Sequence, residues 1–322
     1  MQPGQKSGYF AEIFSCMKLP VTLLGVLLLA SALCSFGQQL PVPLNLQATY
    51  TKGTRSVTGQ PGPNYWQNAA EYDINVTFNP TTRRVAGTVD IVYRNASPDS
   101  LRQLQFKLYP NLYQKGAPRA SRISPKDVGD GVQIEALRLG DQAQDVSKLR
   151  IQATNMPVRL PKALAPGGSL KVQVTYSYIL NKSSHTRTGE VEPGAAFVAY
   201  FFPRIAVYDD VDGWNVIEYN GSQEFYNDFC TFRAAITVPR NFVVWATGDL
   251  KNASQVLGTK YVQRLTTAEQ QDGTTSIIGP NDLKRQDITA PNPKTLGASR
   301  RRTSRTLCLP SPTITYGRQA AL

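Results

Sequence analysis

Apolar and polar positions alternate with a period of two over much of this 322-residue chain. Tyr72, Ile74, Val76 and Phe78 alternate with Asp73, Asn75 and Thr77. Asn79-Pro80 predicts a turn, and Val89, Ile91 and Tyr93 predict the return strand. Leu104, Phe106 and Leu108 repeat the pattern. Beyond Pro166-Gly167-Gly168, Leu170, Val172, Val174, Tyr176 and Tyr178 share one face, as do Phe232, Ala234, Ile236 and Val238. Pro239-Arg240-Asn241 predicts a turn into Phe242–Ala246, and Tyr261–Leu265 reads as one more strand. No stretch sustains a helical period over three turns, and there is no internal repeat. Residues 116–131 and 181–195 read as surface loops. Short alternating strands separated by Gly, Pro and Asn predict an all-β fold, an antiparallel sandwich or layered open sheets.

The ends break this pattern. Residues 17–37 hold one lysine, an apolar run from Leu19 to Leu33, then small residues, which predicts a signal peptide and export to the periplasm or beyond. The apolar run is short for a membrane span. Residues 1–37 therefore read as an N-terminal extension with a leader, 38–63 as a linker or arm, and 64–294 as the β domain, with order beginning near Tyr65 and Trp66. Residues 295–322 read as an aberrant, disordered basic tail.

Charge changes the picture little. The net charge is +12, but the tail carries five arginines and no acid, and residues 1–37 carry two lysines and one glutamate. The remaining +6 is spread without a cluster, which excludes a nucleic-acid footprint. Leader cleavage leaves Cys230 and Cys308, and Cys230 reads as a buried small hydrophobe.

Candidate chemistry concentrates between residues 200 and 230, where aromatics meet carboxylates. Asp209, Asp210 and Asp212 with Gly213 invite a calcium reading, but Gly221 stands where the closing glutamate of an EF-hand is needed. An acidic turn beside aromatics, or an irregular calcium site, remain as readings. Glu218 and Glu224 are a candidate acid–base pair of glycosidase type. His185, the one histidine, lies in a polar loop, so neither a Ser-His-Asp triad elsewhere nor an H-E-x-x-H helix is available.

Tyr65-Trp66-Gln67-Asn68, Tyr72-Asp73-Ile74-Asn75-Val76, Gly87-Thr88-Val89 and Leu108-Tyr109-Pro110-Asn111 occur in that order. Phe202-Pro203-Arg204-Ile205-Ala206-Val207-Tyr208-Asp209-Asp210 and Ala246-Thr247-Gly248 follow. In order and spacing this set resembles the N-terminal, non-catalytic domain of secreted bacterial zinc metallopeptidases of the aminopeptidase N family. The resemblance implies a β-saddle that roofs the zinc cleft of a catalytic domain and shapes access of peptide substrates. It implies no zinc or other cofactor in this chain, because the H-E-x-x-H helix belongs downstream. The expected partner is that missing catalytic domain, and the expected interface residues are Phe201, Phe202, Arg204, Tyr208, Asp209, Asp210 and Trp214. The family's catalytic domain would begin where this chain loses its period, which suggests truncation by a frame change near residue 296. The competing reading is a free-standing secreted binding module for protein or glycan.

Overall fold

The computed structural model describes residues 41–183, 187–192 and 194–291, with the backbone of two short strands beyond. The alternation in the sequence becomes a seven-stranded sheet. Its central strands are β1 (Ala69–Asn79), β2 (Arg84–Arg94) and β7 (Ser169–Ile179). β4 (Gln133–Leu139) and β5 (Gln142–Ala143) continue it on one side, β13 (Cys230–Thr237) and β14 (Arg301–Ser304) on the other. Register aligns Ala234, Ile74, Val89, Val174 and Leu137 in one row across five strands. All five are at most 1% exposed. A period of two then sends the next row outward: Arg233, Asp73, Asp90, Gln173 and Arg138. The sheet is antiparallel except between β1 and β13, which pair in parallel.

The first hairpin turns where the sequence predicts. Asn79 Oδ1 accepts the Thr81 and Thr82 amides, both at 3.0 Å, as turn-forming Asn side chains do. Gly87 lets β2 lie close against β1, since a Cβ there would overlap the Asn75 carbonyl.

A smaller sheet, β10 (Arg204–Ile205), β3 (Leu101–Lys107) and β6 (Asn155–Leu164), covers the inner face of the large one. The Tyr72 and Phe202 rings meet at 5.5 Å, and the Ile205 amide donates to the Tyr72 hydroxyl at 3.2 Å. β8 (Thr188–Glu192), β9 (Ala195–Ala199) and β15 (Cys308–Leu309) form a third sheet, and β11 (Tyr208–Asp209) pairs with β12 (Gly213–Trp214). The layered, largely antiparallel all-β expectation therefore holds.

Several local expectations do not. Phe242–Ala246 forms no strand; Val243 and Val244 are buried in an irregular stretch. Tyr261–Leu265 lies inside a helix. The α-helices among the described residues are α1 (Leu44–Lys52), α2 (Ala253–Val256) and α3 (Thr259–Glu269). In α3, Tyr261 and Leu265 are buried four residues apart, and Lys260, Tyr261 and Arg264 all reach Asp282. Two buried positions fit either period, and the tertiary anchor at Asp282 decides for helix. The presumed loop 181–195 carries β8. β4, β6 and β9 lack clean alternation because several of their apolar positions are adjacent. Order also begins before Tyr65: Thr49 and Thr54 are buried, and Arg55 bridges to Pro61. In the presumed disordered tail, β14 pairs with β13 and β15 with β9; its other residues lie outside the described ones.

Candidate functional site

The aromatic and acidic stretch 201–214 folds as a buried half followed by a surface half. Phe201 and Phe202 are at most 3% exposed and belong to the core, where Phe202 packs on Tyr72 and Phe232. Arg204 is also buried, its guanidinium 5.8 Å over the Tyr72 ring and 5.2 Å over that of Phe232. It donates to the Asp228 carbonyl at 2.7 Å and to Cys230 Sγ at 3.7 Å. Cys230 is thus buried, as expected, but it also serves a cation. Cys308 lies outside the described side chains.

The surface half is the β11–β12 hairpin. Gly213, at φ +71°, supplies its left-handed residue. Asp209 Oδ1 accepts the Val211 and Asp212 amides at 3.0 and 2.8 Å, and Oδ2 accepts the Tyr226 hydroxyl at 2.9 Å. Asp210 turns inward instead and takes a two-pronged bridge from Arg55, at 2.9 and 2.7 Å. Burial pushes the Asp210 carboxyl up, yet hydrogen bonds from Arg55 and Thr54 outweigh it and hold it below the usual range. Tyr208 stacks on Trp66 at 5.5 Å and meets Trp214 at a tilt at 5.0 Å, and its hydroxyl donates to Asp99 at 2.7 Å. Burial and the Asp99 bond raise the Tyr208 phenol above its ordinary value.

The geometry gives the calcium reading no support, because Asp209 is engaged by two backbone amides and a phenol and Asp210 by Arg55. Among the described residues no three His, Cys, Asp or Glu side chains converge on a point a metal could occupy. His185 lies outside those residues. The described residues offer no set of side chains that fits the zinc site that the resemblance places in the intact family. Glu224 is an exposed partner of Arg187 at 3.3 Å. Glu218 offers its carbonyl to Gln223.

Of the seven expected interface residues, Tyr208, Asp209 and Trp214 reach solvent in part, whereas Phe201, Phe202, Arg204 and Asp210 are buried within the chain. Sequence reasoning missed Arg55, placed in a presumed linker, and Lys107, read as the polar half of an alternating strand. Lys107 is 2% exposed and donates to Asn155 Oδ1 at 2.8 Å and to the Ile217 carbonyl at 2.7 Å. Burial pulls its ammonium down to about 8. Asp228 goes the other way: burial raises its carboxyl to about 6, against the pull of Gln67 and Arg204. A cleft of about 440 Å³ opens on the outer face of the large sheet. On that face Arg233 pairs with Asp73 at 3.0 Å, and the Gln173 amide donates to Asp90 at 2.7 Å.

No helix among the described residues is long and apolar enough to cross a membrane. No protein-family model and no curated protein matches the sequence. Among solved structures, the chain is similar to the M1 zinc metallopeptidase from Deinococcus radiodurans, at 16% identity and a TM-score of 0.40, over 78% of this chain and 43% of that one. A form of that enzyme bound to a Tyr-Ser-Ala substrate gives 15% and 0.41, over 78% and 44%. Legionella pneumophila aminopeptidase A in complex with aspartic acid gives 8% and 0.39, over 75% and 21%. The chain thus spans less than half the length of these structural neighbours, which are M1 zinc metallopeptidases and an aminopeptidase, at low identity.

Proposed function

We propose that this chain is the non-catalytic N-terminal β domain of an exported zinc aminopeptidase-like metallopeptidase. Its role is to dock on a catalytic domain and shape the approach of peptide substrates, without hydrolysing peptides alone. The observation that carries the reading is a convergence. Motif stretches far apart in sequence meet along residues 202–208: Trp66 stacks on Tyr208, Tyr72 packs on Phe202, and Arg204 pairs in register with Lys107, next to Leu108. Asn68 and Asn111 clamp the surrounding loops, Asn68 by accepting the Ala96 amide at 2.7 Å and Asn111 by donating to the Ala153 carbonyl at 2.8 Å. The leader-like pattern of residues 17–37 supports export.

Within the proposed interface, Tyr208, Asp209 and Trp214 make the contact, while Phe201, Phe202, Arg204 and Asp210 hold the hairpin in place from beneath. Aromatic anchors ringed by charge suit such a contact. Calorimetric titration of the chain with the catalytic domain of an aminopeptidase N homologue tests this. Saturable binding is expected, weakened about tenfold or more by Trp214→Ala with the fold intact. Absence of binding, or unchanged binding by the variant, contradicts the proposal.

A further inference from the structure

Asn220-Gly221 is the one Asn-Gly pair in the chain. It lies in a surface turn whose two ends are pinned. Tyr219 is buried and stacks on Phe225 at 4.4 Å. Phe225 in turn meets Tyr109 edge-on at 4.7 Å, in an aromatic cage completed by Tyr200. The Asn220 backbone is held on both sides. Its amide donates to Gln223 Oε1 at 3.2 Å, and its carbonyl accepts the Ala120 amide at 2.9 Å. The Asn220 side chain folds forward over the turn, where its Oδ1 accepts the Ser222 amide at 3.0 Å and the Ser222 hydroxyl at 2.8 Å.

Two donors on one carboxamide oxygen draw electrons from Cγ. They also stabilise the negative charge that an attacking nucleophile would place on that oxygen, as the donors of an oxyanion hole do. The nucleophile at hand is the next nitrogen in the chain. Gly221 is exposed, holds φ +90° and has no Cβ to hinder approach. Its N–H has no acceptor among the described residues, and neither has Asn220 Nδ2, the leaving group. A turn pinned at both ends keeps the reacting groups together, which is what speeds an intramolecular reaction.

Two other asparagines share part of this arrangement. Asn79 Oδ1 accepts two amides, but Pro80 follows and has no N–H. Asn95 Oδ1 accepts the Ser97 amide at 3.1 Å and the Ser97 hydroxyl at 2.6 Å, the same pair of donors as at Asn220. Asn95, however, is 0% exposed, and its Nδ2 donates to the Asp99, Leu164 and Ala165 carbonyls. The Ala96 nitrogen is committed to Asn68 Oδ1 at 2.7 Å. Leaving group and nucleophile are both withheld there, and both are free at Asn220-Gly221.

We infer that Asn220 is a self-modifying site, at which the Gly221 nitrogen closes on Asn220 Cγ and water completes conversion of the amide to a carboxylate. The N–Cγ bond forms and the Cγ–Nδ2 bond breaks. The hydrogen of the Gly221 N–H passes through water to the departing nitrogen, which leaves as ammonia. Water then adds to either carbonyl of the five-membered imide and reopens it, to aspartate or to isoaspartate. No oxidant or reductant takes part. Either product adds a negative charge in sequence between Glu218 and Glu224. Isoaspartate also lengthens the main chain by a methylene beside the carbonyl that holds Ala120, so the turn loosens. The site stands whether or not the metallopeptidase reading holds.

The test incubates the full chain at neutral pH, folded and in urea, beside a synthetic peptide of residues 215–226. Peptide mapping by mass spectrometry follows each asparagine. In the folded chain Asn220 is expected to convert at least as fast as in the peptide, giving both acids, while Asn95 stays an amide. Ser222→Ala should slow conversion about threefold or more in the folded chain and leave the rate in urea nearly unchanged. Gly221→Ala, whose Cβ shields the nitrogen, should slow it in both states. A folded chain that converts Asn220 more slowly than the peptide does, or not at all, overturns the inference. So does an equal effect of Ser222→Ala in the folded and unfolded chains. The comparison with the peptide needs no variant, and it decides alone if a variant loses its β signal in circular dichroism.

Discussion

The large sheet and the 201–229 region use the same residue types to opposite ends. In the sheet, alternation sorts them: Ile74, Val89 and Val174 point in, while Asp73, Asp90 and Gln173 point out and pair with neighbours. In the second region the sorting is inverted. Arg204 is buried, as is Lys107 of the neighbouring β3, and Val216 and Ile217 are exposed. A long ladder holds the first region by repetition, whereas in the second two-residue ladders are supplemented by individual side chains that reach backbone atoms. Repetition gives stability that tolerates change on its outer face. Individually placed contacts make a surface more sensitive to single substitutions, and this is where the proposed interface lies.

The comparison breaks first if the sheet layers are not the source of stability. Phe106→Ala, at a position 0% exposed between the two sheets, should cost about 3–5 kcal/mol or abolish folding, as read by urea denaturation. Phe225→Ala should cost less, about 2 kcal/mol, since the ring is only partly buried and its loss releases a segment rather than a layer. A larger loss than that of Phe106→Ala would place the aromatic cage in the folding core.

The pH dependence sharpens the contrast at one residue. The Asp228 carboxyl titrates near 6 when folded, above its ordinary value, chiefly because it is buried. The folded chain therefore binds this proton more tightly than the unfolded chain does. The resulting stability is fully present below about pH 4 and is lost as pH rises through about 6. Denaturation midpoints measured from pH 4 to 7 should carry this loss in the wild-type chain and lack it in Asp228→Asn. The smallest effect belongs to the sheet. The Tyr176 and Tyr178 hydroxyls are buried without a hydrogen-bond partner among the described residues. Tyr176→Phe should be neutral or stabilising within about 1 kcal/mol, and a loss of more than that would reveal a partner for the hydroxyl.

These contrasts also explain what the sequence disclosed. Strands β1, β2, β7 and β13 are legible because large apolar residues recur at every second position along much of each, imposed by one buried and one more open face. β3 was legible only in part: Leu104 and Phe106 alternate, but Gln105 and Lys107 are buried as well, so its polar half concealed the site. α3 was read as a strand because two buried residues do not define a period, and Asp282, which anchors it, is remote in sequence. The hairpin at Tyr208–Trp214 was visible as a cluster of aromatics and acids. That Phe201 and Phe202 face the core while Tyr208 and Trp214 meet solvent depends on where β10 ends, and no local pattern records it. Arg55, Lys107 and Arg187 escaped notice because each acts on a segment at least 37 residues away.

Hydrogen exchange on the chain alone, and then saturated with a homologous catalytic domain, tests the assignment of function to this region most directly. Alone, the Tyr219 amide should exchange about tenfold or more faster than those of Val89 and Val174, because its segment opens without the sheet. On adding the partner, new protection should concentrate between residues 207 and 229. New protection on the outer face of the large sheet, or a Tyr219 amide as slow as the sheet's own, would contradict the account.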